Sequence, residues 1–175
     1  MEKDTLKNIL EAVLLASDRP ISIEKLQGLF ENDVPNRNDI SDCFVQLQLE
    51  YIGRGIELNE VGNGWRVSTR SEYSQWVSRL WDEKPSRYSR AFLETVALIA
   101  YRQPITRAEI EEIRGVAVST NIIKTMLERN WVRIVGHKDL PGRPELLATT
   151  KEFLDYFNLK SLDELPSLKE IRSID

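Results

Sequence analysis

Residues 93–113 read LETVALIAYRQPITRAEIEEI, and the stretch that begins 84 residues earlier, residues 9–29, reads ILEAVLLASDRPISIEKLQGL. Each stretch contains an apolar helical segment, a Pro-Ile-Ser/Thr break and a shorter amphipathic segment, in that order. Two unrelated amphipathic helices would share periodic leucines, but they would not share a break at the same position. The sequence therefore predicts an internal repeat of one small module.

The break has a clear physical basis in both copies. Proline cannot continue a helix, because it lacks the amide donor and its ring clashes with the preceding turn. After Pro104, Thr106 is a good N-cap, and Glu109 three residues later completes a capping box. Ser22 can cap the first copy in the same way, although Lys25 cannot return the reciprocal bond. Each break therefore predicts a helix-turn-helix corner.

The segments that follow each corner are also parallel. The first half predicts a helix over residues 39–52 and, around Gly62-Asn63-Gly64, a hairpin over residues 55–69. The second half predicts a helix over residues 119–130 and strands over 131–136 and 145–149. The inward face of the first of these helices is predicted to consist of Ile40, Phe44, Leu47 and Tyr51. The fold class expected is mainly α with small β-hairpins (α+β), arranged as two tandem winged-helix domains.

The repeat also predicts the domain boundaries. We expect an N-terminal winged-helix domain over residues 1–83, a linker over 84–88 and a C-terminal winged-helix domain over 89–166. Residues 167–175 are expected to form a flexible tail. Residues 70–88 carry aromatic and aliphatic side chains at helical spacing, which predicts an amphipathic helix between the two copies.

The distribution of charge argues against a protein that binds mainly phosphate. The chain has a net charge of −4, and residues 1–83 carry 9 Lys/Arg against 15 Asp/Glu. Residues 84–175 carry 15 Lys/Arg against 13 Asp/Glu, which is only slightly basic. Because affinity for nucleic acid depends on a basic surface, nucleic acid is expected to be at most a weak, accessory partner.

The sequence predicts a cytoplasmic protein. The first ten residues, MEKDTLKNIL, lack the apolar core and cleavage site of a signal peptide. The longest apolar run is far shorter than the stretch of about 20 residues that spans a membrane. The single cysteine, Cys43, cannot form an intramolecular disulfide, which fits a reducing compartment.

The sequence offers little catalytic chemistry. His137 is the only histidine, and its position at a strand end next to Lys138 favours a surface residue over a catalytic base. One cysteine and one histidine cannot form a zinc site without several carboxylates. Glu109, Glu111 and Glu112 are most simply the solvated face of a short helix. We therefore expect no enzymatic activity, no cofactor and no metal.

Two sets of residues are candidates for binding other proteins. At the second corner, Tyr101, Arg102, Gln103 and Pro104 combine chemistry suited to peptide capture, although Tyr101 could simply pack and Arg102 pair with a glutamate. The following helix adds Glu109 and Glu112, and the turn of the second hairpin adds Arg143. In the first half, the candidates for a dimer interface are Trp65, Tyr73, Trp76 and Trp81. Core packing is the alternative for this aromatic set.

The winged-helix pattern also suggests a DNA-binding transcriptional regulator as an alternative, because the third helix of this fold often enters the major groove. In the first half that helix carries Asp39, Asp42 and Glu50, which phosphates would repel. In the second half the basic residues available for phosphate contacts are Lys124, Arg129, Arg133, Lys138 and Arg143.

Several strings in the second half resemble the bacterial segregation and condensation protein B family. They are residues 93–116, 134–136, 138–144, 149–157 and 159–166, whereas the first half resembles the family more loosely. The resemblance implies two winged-helix domains, homodimerisation mainly through the N-terminal domain, and no catalytic activity. It also implies binding to the kleisin subunit, segregation and condensation protein A, which bridges the SMC ATPase in chromosome condensation and segregation at the nucleoid. The partner-facing residues of the second half then become candidates for kleisin binding.

Overall fold

The computed structural model describes residues 2–80 and 88–166. The predictions on Trp81, on linker residues 84–87 and on the tail 167–175 lie outside these ranges. The described chain divides into two compact units, residues 2–80 together with 158–166 (unit 1) and residues 88–157 (unit 2). The division groups residues 158–166 with unit 1, and the domain boundaries drawn from the sequence stay a prediction.

Unit 1 contains three helices followed by a hairpin. Asn36 and Ser22 accept hydrogen bonds from the backbone amides of Asp39 and Lys25, so each begins a helix as an N-cap. After the hairpin, two 3-10 turns, Ser71–Tyr73 and Ser78–Leu80, flank one more short helix. The elements in chain order are α1 (Lys3–Ala16), α2 (Ile23–Gln27), α3 (Arg37–Glu50), β1 (Ile56–Val61), β2 (Gly64–Thr69) and α4 (Ser74–Val77).

The core of unit 1 lies between α1, α2, α3 and one side of the hairpin. The four residues predicted for the inward face of α3 are all buried, which confirms that prediction. Tyr51 is 1% exposed, and its hydroxyl donates a 2.9 Å hydrogen bond to Glu11. Burial and this carboxylate raise the pKa of Tyr51 well above its usual range. The other core residues include Leu6, Leu10, Leu14, Ile21, Leu26, Cys43 and Leu58.

Unit 2 repeats the arrangement with one additional short strand. Its sheet has the order β3-β5-β4, with every pair antiparallel. The pairing of β4 with β5 shifts register between Ile134 and Gly136, which marks a bulge at Val135. The elements are α5 (Arg90–Arg102), β3 (Ile105–Thr106), α6 (Arg107–Arg114), α7 (Thr120–Glu128), β4 (Val132–His137), β5 (Glu145–Thr149) and α8 (Lys151–Tyr156).

In both units, the Pro-Ile-Ser/Thr break pairs with a strand of the hairpin that follows it. In unit 1, Ile21 and Trp65 exchange two backbone hydrogen bonds of 2.9 Å. In unit 2, Ile105 pairs with Leu147 at the equivalent place in β5. Each Pro-Ile-Ser/Thr break therefore adds an extended segment beside the hairpin that follows it. Three helices and a hairpin occur in each unit, and the predicted α+β fold class is confirmed.

The segment after the first hairpin differs from the prediction. An amphipathic helix was expected over residues 70–88, but residues 71–80 form one turn of α-helix between two 3-10 turns. Ser71, Ser74 and Ser78 are poor residues for a helix interior, because serine competes for backbone groups. The Ser78 hydroxyl donates to the Gln75 carbonyl at 3.2 Å, which is such a local bond.

Candidate functional site

The Gln103 side chain joins the end of α5 to β5. Its amide nitrogen donates to the Ala100 carbonyl at 3.2 Å and to the Thr149 hydroxyl at 3.0 Å. Its amide oxygen accepts the backbone N–H of Thr149 at 2.7 Å. Gln103 was predicted as a contact for a partner protein. Its side-chain amide instead makes hydrogen bonds within unit 2.

The neighbours of Gln103 at the corner are more accessible. Arg102 and Pro104 are exposed, whereas Tyr101 is half-buried. Within residues 2–80 and 88–166, Arg102 forms no ion pair, so the predicted alternative of a glutamate partner is not seen there. The corner therefore presents a guanidinium and a proline ring to solvent, next to an aromatic ring that is partly covered.

Glu109, in the first turn of α6, is held by the backbone and hydroxyl of Thr106 and by Lys138. Its carboxylate accepts the Thr106 backbone N–H at 2.9 Å, and the Thr106 hydroxyl accepts the Glu109 N–H at 3.3 Å. This confirms the predicted capping box. The other carboxylate oxygen lies 2.5 Å from Lys138 Nζ in the hairpin turn. The Thr106 hydroxyl also donates to the carboxylate, at 2.8 Å. The Lys138 ammonium, followed by the Thr106 backbone N–H and the Thr106 hydroxyl, lowers the pKa of Glu109 to about 2.

Arg143 and Glu112 are both exposed to solvent. Arg143 has a φ of 40°, in the left-handed region, and its N–H donates to the Leu140 carbonyl at 2.8 Å. This backbone shape closes the turn and leaves the guanidinium unpaired within the described part of the chain. Lys138 therefore links the hairpin turn to α6 through its ion pair with Glu109. The Arg143 side chain is exposed instead.

A groove of about 350 Å³ lies between α7 and β5 in unit 2. Its apolar wall consists of Ile123, Leu127, Pro144 and Leu147, and its polar rim includes Lys124 and Glu145. The guanidinium of Arg107 also lines it, but that group is committed to Glu111, Thr120 and Val118. The groove offers apolar anchorage, and its wall residue Pro144 follows Arg143 in the chain. None of the residues that line it was predicted as a protein-binding contact.

The aromatic residues predicted for a dimer interface differ in how far they are buried. The Trp65 ring lies 4.6 Å from the Phe44 ring, between centroids, and packs on the core of unit 1. Tyr73 and Trp76 are 41% and 57% exposed, and their ring centroids are 6.5 Å apart. Trp65 thus packs on the core of unit 1, whereas the Tyr73 and Trp76 rings are largely exposed, and the assignment of the set to a dimer interface stays a prediction. Trp81 lies outside the described residues.

A second apolar surface of unit 1 was missed from the sequence. Val45, Leu49 and Ile52 are 56%, 62% and 69% exposed. Their spacing of four and three residues places them in one row along the outer side of α3 and its C-terminal end, opposite the buried face. The signal was available, because α3 has apolar residues on two faces and only one of them was assigned to the core.

Groups with catalytic potential are scarce in residues 2–80 and 88–166. That part of the chain contains no cluster of three or more His, Cys, Asp or Glu able to hold a metal ion. Cys43 is fully buried in unit 1, and burial raises the pKa of its thiol, which disfavours the reactive thiolate. None of the helices in the described ranges is long and apolar enough to cross a membrane.

Comparison with known proteins identifies the family. A family model described as segregation and condensation complex subunit ScpB matches residues 8–168. The segregation and condensation protein B homolog of Coxiella burnetii is 52% identical over 170 residues, which cover 97% of this chain and 81% of that protein.

Two solved structures are also similar. The crystal structure of ScpB from Mycobacterium tuberculosis has 34% identity and a TM-score of 0.41, covering 91% of this chain and 98% of that one. A crystal structure of a dimer of an ScpB N-terminal domain complexed with an ScpA peptide has 24% identity and a TM-score of 0.38, covering 45% of this chain and 94% of that one. The family match over residues 8–168 and the relative with 52% identity agree. This chain belongs to the segregation and condensation complex subunit ScpB family.

Proposed function

We propose that this chain is the non-enzymatic, kleisin-binding subunit of a bacterial SMC complex, and that it acts as a dimer in the cytoplasm at the nucleoid. Two copies associate through unit 1, and unit 2 of each copy grips an extended or helical stretch of the kleisin, segregation and condensation protein A. Gripping the kleisin would order that stretch and limit how far the SMC heads can separate. The observation that carries the proposal is family membership over nearly the whole chain.

The surfaces of unit 2 support a role in gripping polypeptide. Protein-binding sites combine apolar anchors with a polar rim. The groove between α7 and β5 supplies the anchors. Arg143, whose side chain is exposed, directly precedes Pro144 of the groove wall in the chain. Arg102 and Pro104 add a second exposed polar and apolar pair. Arg102, Pro104, Glu112 and Arg143 remain the proposed contacts, since their side chains have no partner in the described chain.

The basic residues of unit 2 give less support to a DNA-binding regulator. Lys124 Nζ lies 3.6 Å from Glu128 in α7, and Lys138 Nζ lies 2.5 Å from Glu109. A lysine that is paired with a carboxylate in the same protein neutralises less phosphate charge. This arrangement favours protein over duplex DNA as the partner of the unit 2 surface.

The proposal is tested by co-purification with segregation and condensation protein A, with mass measured by light scattering and duplex DNA binding measured in parallel. We expect a complex that contains two copies of this chain and loses little affinity between about 50 and 200 mM salt. A fall of several orders of magnitude over that range would indicate phosphate contacts instead. A chain that binds duplex DNA tightly and leaves the kleisin unbound would overturn the proposal.

Matched variants locate the site on unit 2. Arg102→Glu and Arg143→Glu reverse exposed charges at the two proposed contacts. Lys151→Glu reverses an exposed charge in the same unit, at the start of α8, and serves as the control. We expect the first two variants to weaken kleisin binding about tenfold or more and the control to leave it within about threefold.

A further inference from the structure

Residues 158–166, which follow α8, form the C-terminal strap. The strap belongs to unit 1, although unit 2 precedes it in the chain. Two polar contacts join it to the first hairpin. Arg66 Nη2 in β2 donates to Asn158 Oδ1 at 3.1 Å, and Lys160 Nζ lies 2.6 Å from the carboxylate of Glu60 in β1. The strap therefore contacts both strands of the hairpin.

The strap also has local structure of its own. The Ser161 hydroxyl accepts the N–H of Asp163 at 3.2 Å and begins a 3-10 turn over Leu162–Glu164. The Glu164 carboxylate accepts the backbone N–H of Lys160 at 2.7 Å. These bonds join residues two and four positions apart, so they do not depend on the hairpin. The strap can therefore leave the hairpin as one piece, with its own hydrogen bonds intact.

The ion pair that holds the strap is accessible to solvent. The side chains of Lys160 and Glu60 are 58% and 33% exposed, and exposed ion pairs contribute little to stability. The leucines of the strap are half-buried, and none of the core residues described for unit 1 lies in the strap. A segment outside the core opens at a lower free energy than the core itself.

The strap satisfies only half of one edge of the Arg66 guanidinium. Nε and Nη2 form the edge that a carboxylate fills with two parallel hydrogen bonds. Asn158 offers one amide oxygen, which accepts from Nη2. Arg66 Nε is buried and has no hydrogen-bond partner within the part of the chain that the structure describes. A buried donor without an acceptor destabilises the closed arrangement.

From these contacts we propose that the C-terminal strap is a releasable clasp, which opens and closes on the first hairpin. Release lets water reach the unfilled edge of Arg66, and this offsets part of the loss of the Asn158 and Glu60 contacts. In the chain, unit 2 lies between the hairpin and the strap. Release therefore frees the C-terminal chain end of unit 2, which stays connected to unit 1 through its N-terminal end alone.

Hydrogen exchange of the full chain, measured by mass spectrometry on peptides that span residues 158–166, reports opening of the strap. Glu60→Lys places two like charges at the contact and should speed exchange about fivefold. Glu60→Lys combined with Lys160→Glu restores opposite charges and should return the rate to within about twofold of the wild type. Glu31→Lys changes another exposed acid of unit 1 and is the control, which should leave the rate unchanged. Unchanged exchange in α1 and α3 shows, in the same experiment, that unit 1 is folded.

Variants of Asn158 test the unfilled edge. Asn158 has a φ of 56°, so Asn158→Gly removes the amide without straining the backbone and should speed exchange about tenfold. Asn158→Asp supplies a second acceptor and a charge, and should slow exchange about tenfold. In an Arg66→Lys background, Asn158→Asp should slow exchange by less than about threefold, because lysine lacks the two-donor edge.

Three results would overturn the proposal. A strap that exchanges as slowly as the core of unit 1 does not open, and one that exchanges as fast as an unstructured peptide does not close. Unchanged exchange in both Glu60→Lys and Asn158→Gly would show that these contacts do not hold the strap. Faster exchange in Asn158→Asp would contradict the role of the Arg66 edge in setting the balance.

Discussion

The backbone of Ile21 occupies the space that a side chain on Gly64 would need. A Cβ atom on Gly64 would overlap the carbonyl of Ile21, and Gly64 has a φ of 138°. The close approach exists because Ile21 exchanges backbone hydrogen bonds with Trp65, the next residue of β2. The absence of a side chain on Gly64 therefore allows the backbone of Ile21, in the first Pro-Ile-Ser break, to pair closely with β2.

Gly64→Ala should destabilise unit 1 by at least about 3 kcal/mol, since it adds a clash with backbone to a strained φ. Gly53→Ala is the matched control: Gly53 has a φ of 75°, but nothing lies within 4 Å of its Cβ position. That control should cost about 1 kcal/mol, the conformational term alone. Urea unfolding measures both, and equal losses would contradict the role of the Ile21 contact.

Gln103→Ala should lower the free energy of unfolding of unit 2 by about 1–3 kcal/mol. The substitution leaves the amide of Thr149 and the carbonyl of Ala100 without their side-chain partner. Glu112→Ala, at an exposed residue without a described partner, should change the same quantity by less than about 0.5 kcal/mol. A Gln103→Ala protein as stable as the wild type would show that the corner is not held by this amide.

Glu109 should make unit 2 sensitive to acid. Its pKa in the folded state is about 2, below the usual 4.5, so the carboxylate form is favoured by folding. The resulting stabilisation is complete above about pH 4.5 and is lost as the pH falls towards 2. In Glu109→Gln, the free energy of unfolding should therefore depend less on pH across this window.

A double-mutant cycle of Glu109→Gln with Lys138→Met should give a coupling of about 0.2–1 kcal/mol at neutral pH. The magnitude is modest because the two side chains are 37% and 43% exposed, so solvent screens the pair. An unchanged pH profile in the glutamine variant would rule out Glu109 as the source of the acid sensitivity.

Trp65 and Trp76 should respond differently to truncation. Trp65→Ala removes the ring that packs on Phe44 and should cost about 2–4 kcal/mol of unfolding free energy. Trp76→Ala should change the stability of the dilute chain by less than about 0.5 kcal/mol, because the ring is 57% exposed. It should instead weaken self-association, measured by light scattering over a range of concentrations. A large loss of stability in Trp76→Ala would contradict its exposure.

The local features of the fold were predictable because they depend on neighbouring residues. A proline ends a helix wherever it occurs, and Thr106 with Glu109 forms a capping box from residues three positions apart. The buried face of α3 follows from its apolar spacing for the same reason. Exposure of the aromatic residues was not predictable, since Trp65, Tyr73 and Trp76 have similar side chains and differ only in what lies opposite them.

The sequence by itself determined the repeated module, the corner in each copy, the hairpins and the family. The corners and hairpins depend on backbone chemistry and on periodicity within a few turns of chain. The repeat and the family are read from matching strings of sequence. Only the tertiary structure decided that Gln103 is bound to Thr149, 46 residues away, and that Glu109 is bound to Lys138. It also decided that Val45, Leu49 and Ile52 remain uncovered. Such contacts arise between residues distant in the chain, so no local pattern specifies which polar group is satisfied and which apolar face stays open.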